Sequence, residues 1–575
     1  MTRGNPPRML RALSLASSLT LLAATAHADE LRHAAPPEVP PLAPSAPLPA
    51  PQAPSVLPAD ETPLLAALRG IVLVPDTSEA SLQRLATGVD VSAVPLTQPQ
   101  IIAAHLQASI GQPASLASLQ RLANDLTRLL REQGRVFVSV WVPPQDLTDG
   151  VVRIAVVPAL MEGPMQVTGA EHFSDESYLK WIRQQPGVEP DAARLQEDID
   201  WINRNPFRNA TLAAAPGSTP DTTLLALRVR ERRPVRVFAG LDNTGTENTD
   251  EQRIFAGFNW GNAFGRGDQL SYQYRADPSR KHSITHSGSY LADLPWRHWI
   301  ALSGAWSETT PDLGPTFDQK GESWQVGAQY HVPLPTLPMD QTVLRQDFYV
   351  GLDFKYSNNN LEFATIPVMD NKTDVAQLTL GYSLNREGAN SSSFISPQLV
   401  LSPGGLSKYN TDEAFDGSRF GAKARYAYFK LDAEHSQRLP AGFRWDVRGN
   451  AQYSNAPLLG SEQIAGSGTY AVRGYPESQA FGDKGVVLRN ELHLPPLPLG
   501  GLNDVSLDTY VFYDLGWLRT VGLDAESIHL SSIGFGASLR LAQALSLDMS
   551  VGRPLEKNVA GADGTRVNFR LQVAY

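Results

Sequence analysis

Two short motifs in the C-terminal part of the sequence contain the charged residues best placed to act together. Val472-Arg473-Gly474-Tyr475 lies in a glycine-rich stretch, and Phe512-Tyr513-Asp514-Leu515-Gly516 follows within a run of β-forming residues. Side chains alternate between the two faces of a strand, so Phe512, Asp514 and Gly516 share one face. A guanidinium and a carboxylate can form two parallel hydrogen bonds. We therefore predict an ion pair between Arg473 and Asp514.

The patterns that would indicate catalysis or a resident cofactor are missing from the sequence. It has no cysteine, and its 11 histidines show no His-Glu-x-x-His spacing. Neither a Gly-x-Ser-x-Gly elbow nor a phosphate-binding loop with its lysine occurs. The formal net charge of -10 argues against a nucleic-acid partner. We therefore predict a protein that is not an enzyme, with no cofactor, no metal site and no nucleic-acid partner.

The N-terminus has the pattern of an exported protein. Arg3, Arg8 and Arg11 precede an apolar stretch, and Ala26-His27-Ala28 supplies the small residues that signal peptidases accept. Residues 1–28 are therefore predicted to be a cleaved signal peptide. Prolines recur every two or three residues from Pro36 to Pro63, which favours an extended chain. Residues 29–65 are predicted to be a proline-rich tether.

Two small α+β modules are predicted next, at residues 66–159 and 160–232. Each has the order strand, helix, helix, strand, strand, which favours a duplicated unit over two unrelated modules. The elements that carry this pattern are Gly70–Val74, a first helix followed by Ser115–Glu132, Arg135–Val142 and Val151–Val157, then Met165–Thr168, Ser174–Trp181, Asp191–Ile202, Ala210–Ala214 and Thr222–Val229.

Residues 233–575 lose the helical period and show segments of about ten residues with alternating polarity, which is typical of outer-membrane barrels. A soluble sandwich or propeller is the alternative, but it predicts no asymmetry between long and short loops. Sixteen antiparallel strands are predicted, starting at Val235, Glu251, Asp268, His282, Arg297, Glu322, Val343, Thr373, Ser392, Gly417, Gly442, Gly485, Asp504, Ser532, Ala544 and Arg566.

The strand that carries Asp514 must turn this carboxylate towards the lumen, because a charge facing lipid is costly. With the two modules on the periplasmic side, the odd-numbered connections between strands face outwards. The eleventh connection, residues 456–484, is thus the sixth extracellular loop, and it contains Arg473. If this loop folds back into the lumen, Arg473 can reach Asp514 and fix the loop in place.

At this point the sequence strongly resembles the outer-membrane transporters of two-partner secretion (TpsB type), the hemolysin and filamentous hemagglutinin secretion and activation proteins. The Val-Arg-Gly-Tyr and Phe-x-Asp-x-Gly motifs match in order, spacing and strand context. Asp242-Asn243-Thr244-Gly245 and Asn205-Pro206-Phe207-Arg208 also look like the family. The resemblance implies two polypeptide-transport-associated (POTRA) modules and a sixteen-stranded transmembrane barrel. Family members often carry an N-terminal plug helix, whereas residues 29–62 here are proline-rich.

The resemblance further implies a transporter in the outer membrane of a Gram-negative bacterium, with its POTRA modules in the periplasm and outer-membrane lipids around its barrel. It would bind an unfolded hemolysin-, adhesin- or hemagglutinin-like client through the client's N-terminal secretion domain, and conduct it outwards without nucleotide hydrolysis. The barrel would also conduct ions. The alternative is an insertase of the same barrel superfamily, but insertases usually carry more modules. A passive porin would leave the two modules unexplained.

Overall fold

The computed structural model describes residues 35–40, 42, 60–75, 87–133, 135–219, 221–314, 317–339, 342–363, 366–495, 505–523, 525–542 and 544–575. The predicted signal peptide and most of the predicted tether lie outside these residues. The described chain divides into two compact units, one within Val39–Arg233 and one containing Pro234–Tyr575. Within the described ranges, no helix combines the length and the apolar character needed to cross a membrane.

The first module is a four-stranded sheet covered by two helices. Its long helix begins at Ser115, whose side chain accepts a hydrogen bond from the Ser118 backbone N–H, and the Ser118 side chain bonds back. Leu119, Leu126 and Leu130 of this helix are buried in the module's core. The strands of this sheet lie in the order Gly88–Asp90, Gly70–Val74, Val151–Pro158 and Val138–Trp141. The elements are β1 Pro63–Leu65, β2 Gly70–Val74, β3 Gly88–Asp90, α1 Pro99–Gln107, β4 Ala114–Ser115, α2 Leu116–Glu132, β5 Val138–Trp141 and β6 Val151–Pro158.

The second module repeats the order of two helices followed by two long antiparallel strands. Its helices begin where the sequence places caps, because the Ser174 and Asp191 side chains each accept a backbone N–H of the first turn. The last strand lies between an antiparallel partner and two short parallel ones. The elements are β7 Leu160–Met161, β8 Gln166–Thr168, α3 Asp175–Leu179, α4 Ala192–Asn203, β9 Arg208–Pro216 and β10 Thr222–Glu231.

Glu231 at the end of β10 ties α3 to the sheet. Its carboxylate accepts hydrogen bonds from the backbone N–H of His172, at 2.5 Å, and from the Tyr178 hydroxyl, also at 2.5 Å. Burial raises the pKa of Tyr178, and the hydrogen bond to Glu231 raises it further. The phenol therefore stays a neutral donor across the physiological pH range.

The second unit is a closed barrel of sixteen antiparallel strands, which confirms the predicted fold class. It closes where the first strand pairs with the last, from Phe238 opposite Ala574 to Asp242 opposite Arg570. The barrel strands are β11 Val235–Asp242, β12 Arg253–Ala263, β13 Asp268–Ala276, β14 Ser283–Asp293, β15 Trp299–Thr309, β16 Phe317–Met339, β17 Thr342–Phe363, β18 Ile366–Gly388, β19 Ser391–Pro403, β20 Arg425–Arg438, β21 Arg444–Ser454, β24 Lys484–His493, β25 Val505–Arg519, β26 Ser527–Leu541, β27 Leu545–Pro554 and β28 Arg566–Ala574.

Short elements lie in the connections of the barrel. Among the described residues they are α5 Asp412–Ser418, the strands β22 Ile464–Ala465 and β23 Phe481–Gly482, and the 3-10 turns Glu247–Thr249, Pro440–Gly442 and Gly460–Glu462. Strands β22 and β23 pair with each other inside the connection between β21 and β24, so this long loop has a two-stranded neck.

Some of the predicted strand starts are wrong, and the errors lie in polar segments that form a helix or extend a strand. The prediction of a strand from Gly417 is wrong, because the Thr411 side chain caps α5 at this point and the strand begins at Arg425. Predicted starts at Glu322, Thr373 and Ser532 are several residues late, since the true starts are Phe317, Ile366 and Ser527. Pairing of β17 with β18 continues through the polar stretch Asn358–Asn360, which lacks the apolar alternation used for prediction.

Candidate functional site

The two motifs singled out in the sequence lie in contact on the inner face of the barrel. Along β25, Phe512 and Asp514 are buried, whereas Tyr513 and Leu515 are exposed on the opposite face. Since exposed apolar side chains of a barrel face lipid, Asp514 faces the lumen. Arg473 reaches it from the long connection between β21 and β24, hereafter loop 6, residues 455–483.

Arg473 and Asp514 form a bidentate, fully buried ion pair. Arg473 Nε donates to Asp514 Oδ2 at 2.7 Å, and Nη2 donates to Oδ1 at 2.8 Å. The Arg473 backbone N–H also donates to Oδ2, at 3.2 Å. The two side chains are 1% and 0% exposed. The remaining nitrogen, Nη1, donates to Glu491 Oε1 at 2.6 Å, so Arg473 binds two carboxylates.

The ring of Phe512 stacks against the guanidinium of the ion pair. The guanidinium carbon of Arg473 lies 3.7 Å from the centre of the Phe512 ring and 5.6 Å from that of Tyr510. A guanidinium is attracted to the face of an aromatic ring, and its planar shape suits stacking. The aromatic residue of the Phe-x-Asp-x-Gly motif therefore binds the same group as its aspartate.

The glycines of the two motifs allow the loop to approach the wall. A Cβ on Gly516 would stand 3.0 Å from Val472 Cγ2. Gly474 has φ +88°, and a Cβ there would stand 3.0 Å from the Gly552 carbonyl carbon on β27. The loop thus lies directly against two strands of the barrel. Gly552 belongs to the site, although no sequence pattern indicated it.

Tyr475 fixes the end of the motif. Its hydroxyl lies 3.0 Å from the carbonyl oxygens of Ser531 and Glu556, and 3.3 Å from both of their backbone N–H groups. Tyr475 also belongs to an apolar cluster inside the barrel, together with Ala471, Val472, Ala480, Val487, Leu518, Leu530 and Ala562. Loop 6 is therefore held by both apolar packing and ionic contacts.

The two ends of loop 6 carry further buried carboxylates, which the sequence analysis missed. Asp483 accepts two hydrogen bonds from the Arg419 guanidinium, at 2.5 and 2.7 Å. Glu462 accepts from Lys355 Nζ at 2.8 Å and from the Tyr428 hydroxyl at 2.8 Å. Neither carboxylate lies in a recognisable motif, and their partners are distant in sequence, so nothing in the sequence pointed to them.

Glu491 is the one missed residue that a sequence signal could have found. It lies in β24 between Arg489 and His493, and these three residues alternate with apolar or amide side chains. Period-two alternation places all three on one face, which must be lumenal because it is charged. Its contact with Arg473 then follows from the neighbouring positions of β24 and β25, in which Glu491 lies opposite Phe512.

The Asp-Asn-Thr-Gly segment contributes to the barrel at another place. Asp242 is fully buried and accepts from Arg275 Nη2 at 2.9 Å, and the Thr244 hydroxyl donates to it at 2.7 Å. Asn243 donates to the Val567 carbonyl at 2.7 Å, next to the seam at which β11 meets β28. This segment therefore stabilises the closure of the barrel and does not touch Arg473 or Asp514.

We expect Gly474→Ala to weaken the attachment of loop 6. Alanine at a left-handed φ costs about 1–2 kcal/mol, and the contact with Gly552 adds to this. Gly405→Ala is the matched control, because Gly405 also has a positive φ, +73°, with nothing within 4 Å of its added Cβ. Protease cleavage of loop 6 in the purified barrel should increase for Gly474→Ala only. Equal cleavage in both variants would show that the close approach does not matter.

The fold and the site together define an outer-membrane barrel of the polypeptide-transport class, with periplasmic modules and an extracellular loop anchored inside the lumen. Residues 221–541 match the family described as "Haemolysin secretion/activation protein ShlB/FhaC/HecB", and residues 85–159 match "POTRA domain, ShlB-type". The chain belongs to this haemolysin secretion/activation protein family, as the resemblance implied.

Named relatives agree with this assignment. The heme/hemopexin transporter protein HuxB of Haemophilus influenzae is 23% identical over 504 residues, 82% of this chain and 85% of that protein. The outer membrane transporter CdiB-2 of Burkholderia pseudomallei is 24% identical, over 92% of this chain and 88% of its own. The solved structure of CdiB from Escherichia coli has the same fold, with a TM-score of 0.66, 17% identity and full coverage of both chains.

The chain is therefore an outer-membrane transporter of the two-partner secretion type, with its POTRA region in the periplasm. The family consists of transporters, and its members act with secreted partner proteins. This supports the transporter prediction over the insertase alternative.

Proposed function

We propose that this chain captures an unfolded client protein in the periplasm and conducts it through the barrel to the cell surface. The client would be hemolysin-, adhesin- or hemagglutinin-like and carry an N-terminal secretion domain. No enzymatic step is needed, because folding of the client outside biases its movement. Ions would pass through the same lumen. The observation that supports this best is the wall of the lumen around loop 6.

The inner face beside loop 6 offers an extended polypeptide a hydrated and charge-balanced path. On β21 and β24 the lumenal residues include Arg444, Asp446, Glu491 and His493, which form ion pairs with one another. Charged groups that are already paired hold water and leave no large apolar surface to which an unfolded chain could adhere. Loop 6 itself is bound by non-covalent contacts, so the space that it fills can change.

The periplasmic unit offers a sheet edge for the client. Among the described strands, β9 pairs only with β10. Two hydrogen bonds, Arg232 N–H to Phe207 C=O and Gly217 N–H to Thr222 C=O, both 3.0 Å, fix which residues of β9 bond to β10. In an antiparallel pair, residues that bond to the partner strand alternate with residues that do not. Since Phe207 and Gly217 both bond to β10, the even-numbered residues between them do not, and the N–H of Ala214 points away from β10. An extended client segment can add to such an edge as a further strand.

The experiment that tests docking blocks this edge with Ala214→Pro. Proline removes the outward N–H, while the bonds to β10 are kept, because proline is tolerated on the outer side of an edge strand. We expect secretion of the client to fall severalfold, measured as client exposed to protease on intact cells.

Ala214→Thr is the control, because threonine keeps the N–H and suits a strand. It should secrete normally. If Ala214→Pro also secretes normally while the barrel is present in the outer membrane, β9 is not the docking edge.

A further inference from the structure

A cluster of titratable side chains lies on the lumenal face below loop 6, and the attachment of the loop accounts for one of them, Glu491, which binds Arg473. The cluster comprises Asp446 on β21, Glu491 and His493 on β24, and Asp508 on β25. These three strands are neighbours in the barrel. Since the chain enters the barrel from the periplasm, the start of β21 and the end of β24 lie at the periplasmic side. The cluster therefore lines the inner end of the transport path.

Three of these residues place one potential ligand atom each close to the others. His493 Nε2 lies 3.1 Å from Asp446 Oδ2 and 3.3 Å from Glu491 Oε2. The three ligand atoms all lie within 4.8 Å of one another. In a tetrahedral zinc site with bonds of about 2.0–2.1 Å, neighbouring ligand atoms are roughly 3.3 Å apart. The two separations that involve His493 Nε2 thus already approach those around a bound ion.

The other nitrogen of His493 has the partner that a metal-binding histidine requires. His493 Nδ1 lies 2.9 Å from Asp508 Oδ1. A carboxylate that accepts the Nδ1 proton fixes the tautomer in which the Nε2 lone pair is available to a metal. Arg444 Nη2 donates to Asp508 Oδ2 at 2.9 Å and also lies 2.9 Å from His493 Nδ1. A guanidinium N–H can only donate, so Arg444 must leave Nδ1 and keep its bond to Asp508 when Nδ1 carries the proton. It can hold Asp508 in place while Asp508 accepts the imidazole proton.

Each carboxylate has its second oxygen occupied, which orients the first. Glu491 Oε1 accepts from Arg473 Nη1 at 2.6 Å and from Arg489 Nη2 at 3.3 Å. Asp446 Oδ1 accepts from Ser436 Oγ at 2.7 Å, and Arg444 Nε lies 3.2 Å from Oδ1 and 3.0 Å from Oδ2. Both carboxylates therefore direct an oxygen at His493 Nε2 from fixed positions.

We propose that Asp446, Glu491 and His493 bind a Zn²⁺ ion, with water as the fourth ligand. Imidazole nitrogen and carboxylate oxygen are both ordinary zinc ligands, and three protein ligands with one open position is a known arrangement. The ion would join β21 to β24. Through Glu491 it would also connect this part of the wall to Arg473 of loop 6. No spacing motif in the sequence indicates the site, because its ligands come from two strands.

The cluster has a metal-free alternative, in which a protonated His493 holds the carboxylates together. The two states differ in a direct way, because an imidazolium has no lone pair for a metal. The test uses the full-length chain in detergent, purified without a histidine tag and stripped with a chelator. Zn²⁺ binding is measured by calorimetry, and Co²⁺ binding by visible absorption, in which tetrahedral nitrogen and oxygen ligation gives strong bands.

We expect one Zn²⁺ per chain and a tetrahedral Co²⁺ spectrum. Asp508→Asn should weaken binding by on the order of 10–100-fold, because it no longer orients the imidazole. His493→Ala should weaken binding more than this. His331→Gln is the matched control. Among the described residues His331 contacts one carboxylate, Asp347 at 3.0 Å, and its Nε2 lies 3.2 Å from Gln329 Oε1. The control should bind Zn²⁺ like the wild type.

Two outcomes would overturn the site. One is the lack of saturable Zn²⁺ binding by the wild type, which would leave the protonated histidine as the state of the cluster. The other is unchanged affinity in His493→Ala. Heat-modifiable migration in gels verifies that each variant is a folded barrel. If His493→Ala fails to fold, the near-isosteric Asp446→Asn takes its place and should weaken binding in the same direction; unchanged affinity in that variant would likewise reject the site.

Discussion

Arg473→Ala is expected to impair secretion and loop attachment more than Asp514→Ala. When Arg473 is removed, Asp514 loses its bidentate partner and Glu491 loses a direct contact. Without Asp514, Arg473 keeps its 2.6 Å contact with Glu491. Breaking a buried ion pair costs about 3–5 kcal/mol when burial is complete, and less where water reaches the pair. Unfolding of the purified barrel in urea and secretion of the client should therefore rank the two variants in this order.

The double variant Arg473→Ala/Asp514→Ala tests the pairing itself. Because both single changes break the same contact, the double variant should be little worse than Arg473→Ala alone. The coupling free energy should then approach the whole loss measured for Asp514→Ala alone. Strictly additive losses would show that the two residues act independently, in contradiction to their 2.7 Å contact.

A matched pair on the same barrel provides the control for this cycle. Arg345 on β17 and Glu387 on β18 form an ion pair at 2.8 Å, but their side chains are 26% and 46% exposed. Exposed pairs of this kind contribute about 0–1 kcal/mol.

A further variant, Arg473→Lys, should restore little of the secretion lost in Arg473→Ala, because an ammonium cannot make the two parallel bonds to Asp514 or stack on Phe512.

The alternation of side chains made most of the barrel predictable. Polar and apolar residues alternate along each strand, so the sixteen strands could be counted and Asp514 could be assigned to the lumen. Errors arose where strands continue through polar sequence, as in the Asn358–Asn360 stretch of β17. Here backbone pairing with β18 extends the strand, although the sequence lacks the apolar alternation that was used for prediction. A strand was predicted from Gly417, but this segment forms helix α5, because the Thr411 side chain caps the helix at Asp412.

The candidate site was predictable in part. The motifs named Arg473 and Asp514, because a lumenal carboxylate needs a cation and the longest loop supplies one. Glu491 lay within reach of the same alternation argument but was not selected. Glu462 and Asp483 depend on partners brought near by the closure of the barrel and the folding of loop 6. Such contacts between distant segments leave no periodic trace in the sequence.

Deletion of residues 66–159 is expected to abolish client secretion while the barrel still inserts into the outer membrane. The barrel is a compact unit of its own within Pro234–Tyr575, closed by β11 and β28. The first module has a separate core around α2, so its loss leaves the lipid-facing strands intact. What is lost is a folded periplasmic surface at which a client can dock. The client should accumulate in the periplasm or be degraded there.

A point substitution separates the loss of the folded module from the shortening of the chain. Leu126 in α2 is 0% exposed, so Leu126→Asp places a charge in the core and should unfold the module, reproducing the secretion defect at full chain length. Leu116 is 44% exposed at the start of the same helix, where an acidic residue is favourable, so Leu116→Asp should secrete normally. Surface-exposed client, barrel level and heat-modifiable migration are compared in all three variants. Normal secretion by the deletion would refute a docking role for the module. If Leu116→Asp reduces secretion as much as Leu126→Asp, the secretion defect comes from a change at the helix surface and not from unfolding of the module.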